Sequence, residues 1–371
     1  MDRRSLLAAP LLWAVSRPAA AQAAVVDVHI DMRDEIAAGR FDPARNGVGL
    51  RGAVRPLSWG QTLPAQPLAY KFKIDRPGRP DDGWEPGRNR AISVTAAATR
   101  VERAFGTDPG APPPLRTGHI ERIAPQGSRF VSPREVQVWL PPGYADEPAR
   151  RYPVLLLHDG QNLFDHLAAG AEWQVDEAAE RGVRSGELAP MIIVGVASNG
   201  DRTLDCTPVP MPIEGRTQGG GAARYARYLV EELQPLLHRR YRTRRGAAHW
   251  AVGGSSFGAL VTMWLLLHHR AAFGAGLVVS PSVWWGGGEI LREVAAHARG
   301  PAPRLWLDMG GDEGPQAVQG ARDLRDALAR QGWPAQYTEA PGDGHDEAAW
   351  ARRVPAMLRF LYAVPQGQGP R

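Results

Sequence analysis

His249-Trp250-Ala251-Val252-Gly253-Gly254-Ser255-Ser256-Phe257-Gly258-Ala259-Leu260-Val261-Thr262-Met263-Trp264-Leu265 is the stretch on which the reading of this chain turns. It opens strand-like at His249 to Val252, passes through small residues, and ends as an apolar helix. Strand, tight turn and helix in that order are the setting in which a G-x-S-x-G pentapeptide exposes a serine on a strained turn. Gly254-Ser255-Ser256-Phe257-Gly258 fits with Ser256 at its centre, whereas Ser255 has Phe257 two places on. Such a turn presses strand against helix so closely that a Cβ at either flanking glycine would collide. It also aims the N–H of Phe257 from a helix N-terminus toward a carbonyl oxygen, which is half of an oxyanion hole.

A serine hydroxyl attacks poorly until a base takes its proton, and the base needs a carboxylate to hold its tautomer. Where this turn carries the nucleophile, the order along the chain is serine, acid, histidine. Four histidines follow Ser256: His268 and His269 close a helical stretch, His297 lies in another, and His345 sits in the loop Pro341-Gly342-Asp343-Gly344-His345. Only His345 follows a strand, read at Ala335 to Glu339, and precedes the last helix. The acid belongs at the end of the strand Arg304 to Met309, where Gly310-Gly311-Asp312-Glu313-Gly314 makes a turn; Glu313 is the candidate and Asp312 its rival. A second oxyanion donor is expected after the buried strand Val154 to Leu157, in His158-Asp159-Gly160-Gln161-Asn162, with the N–H of Gln161 as the candidate. Asp159, Gly160 and Asn162 with Trp285 complete the expected substrate-binding set. No HExxH and no carboxylate cluster suited to a catalytic metal occurs, and no cofactor is expected.

Outward from this centre, Val136 to Leu140, Val154 to Leu157 and Met191 to Val196 read as strands, the last two apolar throughout. Ala223 to Leu237, Gly258 to His268 and Ala317 to Arg330 read as helices. Doubly buried strands separated by helices predict a mostly parallel sheet covered on both faces, an α/β domain over 119–365. Upstream, Val26 to Ile30, Val48 to Gly52 and Tyr70 to Ile74 alternate at strand period between prolines, which predicts a small all-β sandwich over 25–97. Residues 98–118, with Thr107-Asp108-Pro109-Gly110-Ala111-Pro112-Pro113-Pro114, read as a linker.

The first 24 residues carry a basic start with Arg3-Arg4, a short apolar stretch from Leu6 to Val15, and Ala21-Gln22-Ala23. These are the three parts of a secretory signal, of twin-arginine type, and predict a periplasmic or secreted mature protein with no membrane span. At 371 residues, with 43% hydrophobic and 22% charged, the chain has the usage of a folded protein. The net charge of +5 is spread along its length. No basic run interleaved with aromatics suggests nucleic acid as a partner. One cysteine, Cys206, excludes an internal disulfide.

Four motifs in order resemble the esterase family that includes esterase D, feruloyl esterases and enterochelin esterases. They are Tyr152-Pro153-Val154 leading to His158-Asp159-Gly160-Gln161-Asn162-Leu163-Phe164-Asp165, then Gly254 to Gly258, then Gly310-Gly311-Asp312-Glu313, then Gly344-His345-Asp346-Glu347-Ala348-Ala349-Trp350. The resemblance covers about 119–363, implies an α/β-hydrolase fold, and selects Glu313 over Asp312, since the family's acid follows a G-x-x-D/E turn. Ala259 departs from it where a third glycine is usual. The N-terminal strands resemble starch- and glycogen-binding modules, which implies that Lys71, Trp84, Glu85 and Asn89 hold a glucan; a packing role for Trp84 stands beside that reading.

The expected activity is hydrolysis of a carboxylic ester through an acyl-enzyme on Ser256, with a small-molecule or polysaccharide ester as substrate. Carbohydrate-linked, aryl (feruloyl or acetyl) and siderophore esters all fit. An acyltransferase using the same residues, with Trp284-Trp285 lining a dry pocket, and a non-catalytic carbohydrate-binding protein are the alternatives.

Overall fold

The computed structural model describes residues 25–31, 47–52, 68–75, 90–92, 98–104, 117–125, 127–164, 172–213 and 216–365. The chain divides into two compact units, one holding the N-terminal residues to Pro113 and the other nearly all of the rest. In the first, β1 (Val25–Asp31) pairs in parallel with β5 (Ala98–Ala104), while β2 (Gly47–Gly52), β3 (Leu68–Asp75) and β4 (Arg90–Ile92) form an antiparallel sheet. Strand β5 corrects the linker reading at its start: Thr99-Arg100-Val101-Glu102 still alternates at strand period, and the proline-rich run begins only at Pro109. Lys71 lies on β3; Trp84, Glu85, Asn89 and the signal-like segment lie outside the described residues.

The second unit is built on an eight-stranded sheet ordered β15-β14-β13-β12-β8-β9-β7-β6. Its members are β6 (His119–Ile123), β7 (Val136–Leu140), β8 (Val154–His158), β9 (Ile192–Val196), β12 (Trp250–Ser256), β13 (Ala275–Pro281), β14 (Arg304–Gly310) and β15 (Gln336–Ala340). A separate hairpin, β10 (Pro210–Ile213) with β11 (Arg216–Gly219), lies between β9 and β12 in the chain. Pairings from β15 through β9 are parallel, and β7 and β6 add antiparallel edge strands. The expected mostly parallel α/β sheet is the observed one.

Alternation along the strands divides the core between two faces. Val154, Leu156, Ile192 and Val194 pack on one side, with the helical run Ala222–Arg240, α5 (Phe257–His268) and α6 (Glu289–His297). That run consists of α3 (Ala222–Arg227), a π-helical turn and α4 (Gln234–Arg240); the widened turn ends just before Pro235, which has no N–H for an α-turn to use. Leu155, Leu157 and Ile193 face the other side with α1 (Val175–Arg184) and α8 (Glu347–Tyr362). The short α2 (Arg202–Cys206) follows β9, and α7 (Pro315–Arg330) connects β14 to β15. Every residue of β8 and β9 is buried, as the apolar runs Val154 to Leu157 and Ile192 to Val196 demand, with His158 closing β8. No helix among the described residues is long and apolar enough to cross a membrane.

Candidate active site

At the carboxyl ends of three neighbouring parallel strands, β8, β12 and β13, stand non-glycine residues with left-handed φ: Asp159 at 57°, just after β8, Ser256 at 59°, the last of β12, and Ser280 at 46°, the last but one of β13. Each such conformation costs on the order of 1 to 3 kcal/mol and persists only where surrounding structure enforces it. All three stand at the carboxyl edge of the sheet, where open α/β sheets place their sites.

Ser256 has ψ of −118° and is the last residue of β12, with α5 starting at Phe257. The enforcing contacts are steric. A Cβ on Gly254 would lie 3.1 Å from the backbone carbon of Gly258 and 3.2 Å from Cβ of His158, and one on Gly258 would lie 3.3 Å from that same His158 atom. The two glycines therefore back onto each other over the His158 side chain. The Ser256 hydroxyl lies 3.2 Å from that of Ser282, and the Ser282 N–H donates to the Ser256 carbonyl at 3.3 Å. Phe257 opens α5, so its N–H belongs to the first turn, which has no partner within the helix.

Two strands away, Nδ1 of His345 lies 2.6 Å from Oε2 of Glu313. A carboxylate can only accept, so Nδ1 is the donor in this contact, and in the neutral ring Nε2 is the nitrogen able to take up a proton. The Glu313 side chain is 2% exposed and that of His345 42% exposed. Glu313 is held by its other oxygen, which accepts from the Gly310 N–H at 2.8 Å and the Ser280 hydroxyl at 2.5 Å. Ser280 in turn accepts from Nε1 of Trp350 at 3.0 Å and from Arg353 at 3.2 Å. Arg353 also pairs with buried Asp308 at 2.7 Å; burial pushes that carboxyl up to about 6 despite the pull of Arg353. Trp350 sets its ring edge-on to His345 at 5.1 Å between centroids. Asp312 is exposed and is not the residue brought to His345.

The family model described as "Putative esterase" matches residues 127–361. The chain belongs to this esterase family. It is thereby a carboxylic ester hydrolase. Among curated relatives, ferri-bacillibactin esterase BesA of Bacillus subtilis is 26% identical over 223 residues, covering 53% of this chain and 75% of BesA. Solved structures that share the fold include the BES protein from Bacillus cereus, with TM-score 0.56, 23% identity and coverage of 67% and 97% of the two chains. The enterobactin esterase FES from Shigella flexneri shares it with TM-score 0.55 at 18% identity, over 85% of this chain and 88% of its own.

The loop after β8 in this esterase is organised differently from its sequence reading. Gly160 is buried, and a Cβ there would meet backbone atoms of Gly195 at 2.5 Å, so its close approach is to strand β9. Asp159 is buried under a two-pronged contact from Arg202, at 2.8 Å on each oxygen. Burial alone would raise the Asp159 carboxyl; the Arg202 guanidinium outweighs it and holds the group below its usual range. The Gln161 amide exchanges two bonds with Ser198, at 2.8 and 2.9 Å, which fixes the turn that carries the Gln161 N–H. Asn162 donates to Glu347 at 3.1 Å, at the start of α8. Gly160 and Asp159 thus shape the loop through contacts within the protein.

Trp285 is likewise engaged within the protein. It is fully buried, donates from Nε1 to the Val209 carbonyl at 2.8 Å, and packs edge-on against Phe257. Its neighbour Trp284 is 55% exposed and also touches Phe257, with centroids 5.9 Å apart. Sequence reasoning missed Ser280, Ser282, Trp350 and Arg353, whose roles arise from contacts over 26 to 73 positions. The one visible signal was Trp350, already part of the motif around His345.

Proposed function

We propose that the esterase works through Ser256 as nucleophile, His345 as base and Glu313 as orienting acid. The contact between His345 and buried Glu313 carries this reading, because it leaves Nε2 of His345 as a proton acceptor. Ser256 Oγ attacks the ester carbonyl carbon while its proton passes to Nε2 of His345. The oxyanion that forms is met by the N–H groups of Phe257 and Gln161. Collapse of the tetrahedral species breaks the carbon–oxygen bond to the alcohol, which leaves with the proton from His345. Water then attacks the acyl-serine, giving its proton to His345, and the free acid departs as Ser256 regains a proton.

Esters with an aromatic group suit this site best. Trp284 is the large exposed aromatic beside Phe257, and its face offers a stacking surface next to the proposed oxyanion donor. Relatives named as ferri-bacillibactin and siderophore enterobactin esterases, and solved ferulic acid esterases, point to siderophore and feruloyl esters as the substrates to try. The Arg3-Arg4 start and Ala21-Gln22-Ala23 support the reading that the esterase is exported.

Ser256→Ala tests the mechanism. Turnover of p-nitrophenyl acetate and of feruloyl and catecholate esters should fall by about 10⁴ to 10⁶ with the circular dichroism spectrum unchanged. A fluorophosphonate probe should add one adduct to the wild type, on the peptide bearing Ser256, and none to the variant. Retained turnover in Ser256→Ala overturns the mechanism.

A further inference from the structure

We propose that His268, Glu293 and His297 form a transition-metal site on the outer helical layer, separate from the ester chemistry. His268 is the last residue of α5, and Glu293 and His297 lie one turn apart on α6, with His297 its last residue. Nε2 of His268 lies 2.6 Å from Oε2 of Glu293, and Nε2 of His297 lies 3.7 Å from the same oxygen. The three ligand atoms all fall within 4.8 Å of one another. A tetrahedral zinc ion with bonds near 2.0 to 2.1 Å sets its ligand atoms about 3.3 Å apart. Each pair therefore needs about 1.5 Å of adjustment at most, within reach of side chains on a surface.

The donor chemistry selects the metal. Two imidazoles and one carboxylate suit zinc, nickel or copper, whereas calcium and magnesium ask for oxygen. Two helices end at this cluster, so the partial negative charge of both carboxyl termini falls on the cation. The Trp264 ring lies against His268 at 4.4 Å between centroids and supports its orientation. Three protein ligands leave room for water on the ion. Bound metal would clasp the end of α5 to α6. Since α5 runs twelve residues from Phe257, the site stands roughly 17 Å along the helix from the proposed nucleophile.

The test uses the full chain, free of any histidine tag and stripped with a chelator, titrated with Zn²⁺ by calorimetry. One equivalent should bind, and the melting temperature should rise with it. His268→Asn combined with His297→Asn should lower affinity at least about tenfold and abolish the rise. Glu293→Gln should weaken binding by a smaller factor, while p-nitrophenyl acetate turnover stays the same in all variants. No binding by the wild type, or equal binding by the double variant, overturns the proposal.

Discussion

The proposed nucleophile and the proposed acid–base pair are held by opposite means. Around Ser256 the restraint is steric: two glycines that back onto each other over His158 enforce a strained φ, and the hydroxyl meets another hydroxyl, that of Ser282, at 3.2 Å. Around Glu313 and His345 the restraint is polar, running from Ser280 through Arg353 to Asp308. The difference follows from what each part must do. A serine nucleophile has to be aimed at the incoming carbonyl with its hydroxyl open to a base, and the packed turn does the aiming. An imidazole that gains and loses charge needs fixed charges and dipoles about it, which only a hydrogen-bonded network supplies.

The largest test of this contrast lies on the polar side. Glu313→Gln keeps the shape and removes the charge facing His345, so kcat on p-nitrophenyl acetate should drop by about 10² to 10⁴, whereas Asp312→Asn should change it less than twofold, roughly speaking. Comparable losses in both would mean that the orienting role belongs to neither alone.

On the steric side, Gly254→Ala places a methyl 3.1 Å from the Gly258 backbone. Denaturant unfolding should show a loss of about 1 to 3 kcal/mol, with kcat reduced more than KM is raised, because the turn shifts Ser256. A variant as stable and active as the wild type would remove the packing explanation.

His158 sharpens the comparison through pH. Its Nδ1 contacts the Tyr225 hydroxyl at 3.0 Å, its Nε2 has no partner among the described residues, and burial pushes its pKa down to about 4 from 6.5. As pH falls from 6.5 toward 4 the unfolded chain takes up a proton that the folded chain refuses. Stability is therefore lost across that window, by about 3 kcal/mol at its acid end. His158→Asn should flatten this slope in urea titrations at pH 7 and pH 4.5; an unchanged slope would move its origin elsewhere.

The smallest effect is expected from Ser280→Ala. It takes one bond from Glu313 and one acceptor from each of Trp350 and Arg353. A loss of about 1 kcal/mol, or about fivefold in kcat with KM unchanged, is the expected result. A change in KM alone would show that Ser280 shapes the pocket and not the acid.

Sheet, helices and turn at Ser256 were legible because each depends on near neighbours. Apolar runs such as Val154 to Leu157 can be satisfied only by burial on both faces, and glycines two places either side of a serine are called for by one local turn. Where Gly160 and Trp285 point was not legible. Their types suit a ligand pocket as well as a core, and only the packing of β9 against the loop after β8, and of Val209 against Trp285, shows that the core has them.

What the sequence determined by itself, then, was the order of strands and helices and the set of residue types able to carry ester chemistry. Tertiary structure alone decided that Ser280 and Arg353 stand behind Glu313, and it brings Glu313, which the family resemblance had already favoured over Asp312, to His345. The reason is range: periodicity and turn chemistry act over a few residues, whereas a hydrogen bond between positions 73 apart exists only after the sheet has brought their strands and helices together.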